Sequence, residues 1–331
     1  TTADIPVEQI ADHPLQVTAG KVTLSVDRQV IDKLKAQSGD LNGATLVVKV
    51  EPVTNAGTQA NLQAAGQIYD INVILRQTDG TEFKAEQVDG GVRIMLPVED
   101  DNADQELLGV YYYNESTKQW EYVGGTFDPT ENAMTIELQH LSTYAVMEYN
   151  KSYLDVPASH WAYRTIKVLS AKHIVNGMSE NEFQPNAKTT RAEFTALLVR
   201  ALGLTASANP APFADIHTGD WYADEVAAAY AAGLIQGVSA NEFSPNAQIT
   251  REEMAALLVR AFEYRQGSAI TADHALQGYK DEATVSKWAK AEVNKAIAAG
   301  LMNGKGGNLF DPSSDAVRAE TAQAILNLLS K

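Results

Sequence analysis

Two kinds of hydrophobic spacing divide the chain near residue 150. Before that point, apolar residues alternate or run together over short stretches: 21–26, 44–50, 69–75, 92–96, 110–113, 120–123, 134–138 and 144–147. Asp79-Gly80, Asp89-Gly90-Gly91 and Asn114 to Thr117 punctuate them as turns. This period-2 pattern predicts an all-β sandwich of short antiparallel strands over residues 1–150. Only Gln29 to Gln37 reads as helix. Tyr111 to Tyr113 and Trp120 to Tyr122 predict a hairpin whose aromatics pair across strands. Such aromatics can form a carbohydrate platform, but alternating hairpin residues usually face a core.

After residue 150 the period lengthens to that of a helix. Val226, Tyr230 and Leu234 keep helical spacing, as do Trp288, Val293, Ile297 and Leu301. Three stronger stripes follow: Phe194, Leu197, Leu198 and Leu202, then Met254, Leu257, Leu258 and Phe262, then Ile325, Leu328 and Leu329. Three such stripes bury one another only by meeting, which predicts an all-α, pseudo-threefold core. Residues 205–210 and 267–275 read as connections, giving repeats 151–204, 205–266 and 267–331.

The stripes belong to one pattern used three times. Its first copy has Asp155, Trp161, Gly177, Phe183, Pro185 and Thr190-Arg191-Ala192-Glu193. The second has Asp215, Trp221, Gly237, Phe243, Pro245 and Thr250-Arg251-Glu252-Glu253, and the third Asp281, Trp288, Gly304, Phe310, Pro312 and Val317-Arg318-Ala319-Glu320. Trp to Gly is 16 positions, Gly to Phe 6 and Phe to Arg 8 in every copy. Function is therefore to be sought in what the copies build together.

Charge separates the halves further. Residues 1–150 carry 9 Lys+Arg against 23 Asp+Glu, and residues 151–331 carry 17 against 19. The formal charge of −16 argues against nucleic acid or an anionic membrane as partner. No apolar run is long enough to span a bilayer. Cysteine is absent, which excludes disulfides, thiolate metal sites and cysteine nucleophiles. The opening Thr1-Thr2-Ala3-Asp4 has neither the basic end nor the apolar core of a signal peptide, and reads as a mature form or an excised fragment. Glu99 to Asp104 is the densest acid cluster; lacking the ligand spacing of a calcium loop, it reads as a solvated turn.

Thr190 to Glu193 and Thr250 to Glu253 fit capping boxes, in which threonine and glutamate serve the helix end. The arginine between them sits where the helix dipole disfavours a cation. Two readings stay open: pairing with an aspartate of a neighbouring unit, or waiting for an anion drawn by free N–H groups at the helix end.

Asp-x5-Trp, the glycine turn, Phe-x-Pro and Thr-Arg-x-Glu resemble S-layer homology domains in their triplet arrangement, over about residues 152–331. The resemblance implies a pseudo-threefold prism within one secreted, cell-surface chain. It implies anchoring, without covalent attachment, to the secondary cell-wall polymer of Gram-positive bacteria, in grooves between repeats and often through a pyruvylated sugar. Arg191, Arg251 and Arg318 would then meet the anionic ketal. Asp155, Asp215, Asp281, Trp161, Trp221, Trp288, Gly177, Gly237 and Gly304 would shape the grooves, with hydroxyls from Ser179 and Ser239. For the tryptophans, core packing is the more ordinary role of the residue type. No cofactor, metal, nucleic acid or membrane is implied, and the chain is expected to be monomeric.

The third copy departs from the pattern. Val317 replaces the capping threonine, Lys305-Gly306-Gly307 replaces Met178-Ser179-Glu180, and Asp281 stands one residue further from its tryptophan. Grooves using Arg191 and Arg251 are therefore expected to rank ahead of one using Arg318. A catalytic role finds little support. Histidines at 13, 140, 160, 173, 217 and 274 lack metalloprotease spacing, and no Gly-x-Ser-x-Gly is present. The alternatives are a piece of a polysaccharide-degrading surface enzyme whose residues 1–150 bind carbohydrate, and a lattice-forming S-layer protein.

Overall fold

The computed structural model describes residues 1–331 except 11–13, 40, 55–56 and 273, so His13 lies outside the described residues. The chain forms two compact units, Thr1–Lys151 and Ser152–Lys331.

The first unit is built on β1 (Thr2–Pro6), β2 (Leu15–Ala19), β3 (Val22–Val26), β4 (Thr45–Val53), β5 (Leu62–Ala64), β6 (Ile68–Arg76) and β7 (Glu82–Lys84). It continues with β8 (Gln87–Pro97), β9 (Leu108–Asn114), β10 (Gln119–Gly124), β11 (Thr126–Asp128), β12 (Ala133–His140) and β13 (Thr143–Tyr149). One sheet runs β1-β4-β6-β13-β9-β10, with β5 on β13 and β7 on β6; the other runs β11-β12-β8-β3-β2. Register puts like with like: Leu46, Val48 and Val50 of β4 stand opposite Leu75, Val73 and Ile71 of β6, and Leu24 stands opposite Ile94. All these side chains are buried in a core shared by the two sheets and by Val30, Ile31 and Leu34 of helix α1 (Arg28–Ser38). Every stretch read as strand is a strand. The ones missed are edge pieces or three-residue segments such as β7, where Glu-Phe-Lys carries too few apolar positions for a period to show.

The Tyr111–Tyr122 hairpin forms as expected, with Tyr113 opposite Trp120 and Tyr111 opposite Tyr122. Tyr111 and Trp120 are buried, and the Trp120 indole donates to the carbonyl of Gly57 at 2.9 Å. These two aromatics belong to a small core and not to an exposed platform.

In the second unit each repeat gives a short helix, a turn and a longer helix: α2 (Tyr163–Ala171) and α3 (Arg191–Leu202), α4 (Ala223–Ala231) and α5 (Arg251–Gln266), α6 (Lys290–Ala298) and α7 (Arg318–Leu329). The long helices α3, α5 and α7 each touch the other two, and Phe194, Leu198, Met254, Leu258, Ile325 and Leu328 are buried there. The short helices end sooner than apolar spacing suggests, so that Leu234 and Leu301 fall beyond α4 and α6. Tyr230 and Trp288, read as part of those apolar stripes, are exposed.

Backbone hydrogen bonds close the three repeats into a ring. Thr189 N–H donates to Ala316 O, Ala316 N–H to Ile249 O, and Ile249 N–H to Thr189 O, at 2.9 to 3.0 Å. Each repeat thus gives one bond to a neighbour and accepts one from the other. The third copy returns to the first across more than 120 residues of chain.

Candidate functional site

The N-termini of α3, α5 and α7 are where the repeated motif comes together, and those of α3 and α5 are fully occupied. Thr190 and Thr250 form both halves of their capping boxes. Val317 has no side-chain acceptor and retains only the half in which its N–H donates to Glu320, at 3.1 Å. The next two amides turn to the adjoining repeat: Arg191 N–H to Ala247 O, Ala192 N–H to Pro245 O, with Arg251 to Ser314, Glu252 to Pro312, Arg318 to Ala187 and Ala319 to Pro185 repeating the pattern. All four orphan amides of α3 and α5 are therefore spent inside the protein. At α3 and α5 no free N–H group is therefore left to attract an anion, contrary to the expectation from sequence.

The arginine side chains reach into the same neighbouring repeat. Arg191 Nε donates to Phe243 O at 2.9 Å, Nη2 to Gln236 O at 3.3 Å, and Nη1 pairs with Glu253 at 3.1 Å. Arg251 does the same with Phe310 O, Asn303 O and Glu320. Arg318 closes the cycle on Phe183 O and Asn176 O. Each guanidinium also lies over the phenylalanine whose carbonyl it bonds, 4.4 to 5.0 Å from the ring centroid. The partner acid is thus the capping-box glutamate of the adjoining repeat, where sequence suggested an aspartate. One oxygen of Glu253 serves Thr250 and the other serves Arg191.

Burial lowers the proton affinity of all three guanidinium groups, and nearby acids counter it only in part. Arg318 differs in its contacts: among the described residues no carboxylate lies within ion-pair distance of it.

The aspartates work behind the loop. Asp155 accepts from Phe183 N–H and Gln184 N–H at 2.9 and 2.6 Å; Asp215 and Asp281 repeat both bonds. The second residue of each pair has positive φ: Gln184 58°, Ser244 57°, Asp311 59°. That backbone is unfavourable for a residue with a side chain, and the carboxylate holds it in place. The additional residue between Asp281 and Trp288 leaves these bonds intact.

Gly177, Gly237 and Gly304 are required by close approach. A Cβ on Gly177 would lie 2.4 Å from Ser179 O, and on Gly237 2.3 Å from Ser239 O; on Gly304 it would meet the Tyr279 ring at 2.3 Å. Ser179 Oγ accepts from Glu182 N–H within its own turn, and Ser239 Oγ accepts from Asn241 N–H.

The tryptophans are not core residues. Trp161, Trp221 and Trp288 are 60, 57 and 57% exposed. Two stand at the mouths of cavities between repeats. Trp221 of the second repeat, Gly177, Glu193 and Arg200 of the first and Arg318 of the third line a cavity of about 140 Å³. Trp161 of the first repeat, Arg251 of the second and Gly304, Lys305, Glu320 and Asn327 of the third line one of about 540 Å³. Advancing each residue by two repeats carries the first set onto the second. Advancing the first set by one repeat gives Trp288, Arg191, Gly237, Glu253 and Arg260 as the equivalent residues at the remaining junction. Sequence reasoning missed Glu193, Glu253 and Glu320 as groove residues, and Arg200 and Arg260. The legible signal was an arginine nine positions after the motif arginine in two copies of three.

Comparison with known proteins agrees with this architecture. The family model for the S-layer homology domain matches residues 152–195, 212–255 and 278–322. An amylopullulanase of Thermoanaerobacterium thermosulfurigenes is 33% identical over 329 residues, covering 93% of this chain and 17% of that protein. The exoglucanase XynX of Acetivibrio thermocellus is 39% identical over 176 residues, 52% of this chain and 16% of the relative. The S-layer protein sap of Bacillus anthracis is 35% identical over 176 residues, 53% and 21% respectively. The chain therefore spans about a fifth or less of the length of these relatives.

Proposed function

Residues 152–322 make this chain a member of the S-layer homology family and a cell-surface, wall-associated protein, and we propose that it is held at the wall by anionic saccharide bound in the three grooves between repeats. The observation that carries this reading is the placement of two of the three exposed tryptophans, Trp221 and Trp161, beside cation-lined clefts formed with the other two repeats. An indole face suits the apolar face of a sugar ring, and guanidinium groups suit a carboxylate such as that of a pyruvyl ketal. In this reading the three repeats close a pseudo-threefold prism, the two sheets of residues 1–151 form a sandwich that acts as spacer, and the chain works as a monomer. Catalysis, where it accompanies such an anchor, belongs to other parts of a longer protein, as the names of the enzyme relatives suggest.

Geometry alters the order expected of the grooves. Arg191 and Arg251 are neutralised by Glu253 and Glu320, whereas Arg318 is not in contact with an acid. The groove at Arg318 and Trp221 is accordingly the first to fill, ahead of those at Arg191 and Arg251.

Co-sedimentation of the full chain with cell walls tests both points. Retention is expected on native walls and lost on depyruvylated walls. Trp221→Ala is expected to weaken it most, by about tenfold, the effect of losing one well-packed aromatic contact. Undiminished retention on depyruvylated walls would defeat the carboxylate mechanism, and equal effects of Trp161→Ala, Trp221→Ala and Trp288→Ala would remove the ranking.

A further inference from the structure

The motif arginines have few donors left. Arg191 and Arg251 each spend Nε and Nη2 on carbonyls of the adjoining repeat and Nη1 on its glutamate. Their removal from this network would leave buried carbonyls and a carboxylate unpaired, so they are poorly placed to turn toward a ligand. A second cation is available in every groove. Arg200, on α3, makes a single hydrogen bond, from Nη1 to Ile174 O at the long distance of 3.5 Å. Arg260, at the equivalent place on α5, makes one to Leu234 O at 3.4 Å. Among the described residues neither has an acid within ion-pair distance. Each therefore keeps most of its five N–H donors. Arg200 lines the cavity containing Trp221 and Arg318, and Arg260 is close enough to Arg191 to oppose its charge.

The third repeat has no arginine at this place. Asn327 occupies it and repeats only the carbonyl bond, from Nδ2 to Leu301 O at 3.1 Å. The same groove gains Lys305 instead, at the turn position held by Met178 and Val238 in the other repeats. Lys305 Nζ stands 3.5 Å from Glu320 and 3.3 Å from Asp311. Each groove thus holds two cations around one capping-box glutamate: Arg318 and Arg200 with Glu193, Arg191 and Arg260 with Glu253, Arg251 and Lys305 with Glu320. A second cation is kept while its source moves from helix to turn, but there it is shared with a further acid, Asp311.

We infer that Arg200 and Arg260, with Lys305 as a weaker counterpart already shared with Glu320 and Asp311, are the side chains that meet the carboxylate of the bound saccharide, while Arg191 and Arg251 chiefly hold the repeats together. This rests on the groove reading above and assigns the ligand-facing charge within it. A lysine on a turn is a mobile point charge, whereas the arginines offer a planar fork. The groove at Lys305 and Trp161 is therefore the least selective for carboxylate geometry.

The test uses the full chain and two probes, a methyl hexopyranoside carrying a 4,6-O-pyruvyl ketal and its neutral methyl ester, titrated calorimetrically. Arg200→Met combined with Arg260→Met is expected to lower affinity for the acid about tenfold or more, to leave binding of the ester unchanged, and to shift the melting temperature little. In that double variant, Lys305→Met is expected to remove the remaining preference for the acid over the ester. Adding Asn327→Arg is then expected to restore that preference. Trp221→Ala serves as the separate control on the grooves. If it weakens binding while the double arginine variant binds the acid like the parent, the assignment of charge fails and the groove reading stands. If neither change alters binding, both fail. Loss of acid and ester binding alike in the arginine variant would mean a structural role and would also overturn the assignment.

Discussion

A methyl group on Gly177 would lie 2.4 Å from Ser179 O and 2.8 Å from Glu182 O, both backbone atoms that cannot move without opening the turn. Gly177→Ala is therefore expected to destabilise the helical unit by about 1 to 3 kcal/mol, the usual cost of overpacking, seen as a lowered melting temperature. An unchanged melting curve would show that the turn adapts. The glycine was legible because its spacing is constant, but its reason was not, since φ is ordinary here and the demand comes from residues folded back on it. Asp281 gives a pH prediction. Burial raises its pKa, but the N–H groups of Phe310 and Asp311 outweigh this and hold the carboxyl below its ordinary value. A group depressed in the folded state adds stability above its unfolded pKa of about 3.9 and loses it as pH falls through the folded value. Acid melts of the parent should lose stability below about pH 4, and Asp281→Asn should flatten that part of the profile. Parallel profiles would remove Asp281 from the acid response.

At the scale of elements, apolar period found the major strands and the long helices because one face of each is buried without interruption. It overextended the short helices, because Leu234 and Leu301 remain in the core after the helix has ended and keep the apparent stripe going. It also placed Trp288 in such a stripe, since an exposed tryptophan and a buried one look alike in a periodic pattern. Capping chemistry was read correctly for α3 and α5, where Thr and Glu satisfy each other. α7 lacks the hydroxyl, and Val317→Thr, in an extended backbone conformation matching that of Thr190, is expected to restore the second half of the box. The gain should be about 1 kcal/mol, measured by denaturant unfolding. A loss of stability would show that the Val317 side chain contributes packing that the hydroxyl cannot replace.

At the scale of the helical unit, the motif arginines act as cyclic fasteners, each repeat gripping the next and the third gripping the first. Sequence revealed that three copies exist and that their stripes must meet, but the partners of each arginine were hidden because they are backbone carbonyls 45 to 142 residues away. Arg191→Met is expected to cost about 3 kcal/mol or more by leaving Glu253 and two carbonyls unpaired. Chemical denaturation of the full chain measures this, and a change below about 1 kcal/mol would deny the fastening role. In the proposed reading, the exposed tryptophans and the second cations are what remains for recognition. The chain contains four tryptophans, and only Trp120 lies outside the repeats, with its indole already bonded to Gly57. Fluorine NMR of the full chain labelled with 5-fluorotryptophan, with signals assigned by single Trp→Phe variants and titrated with solubilised, pyruvylated wall polysaccharide, reads all four at once. Trp161, Trp221 and Trp288 are expected to shift, Trp221 at the lowest polysaccharide concentration, and Trp120 to stay fixed. Binding that moves Trp120 alone, or that leaves the three groove tryptophans unchanged, would contradict the groove reading.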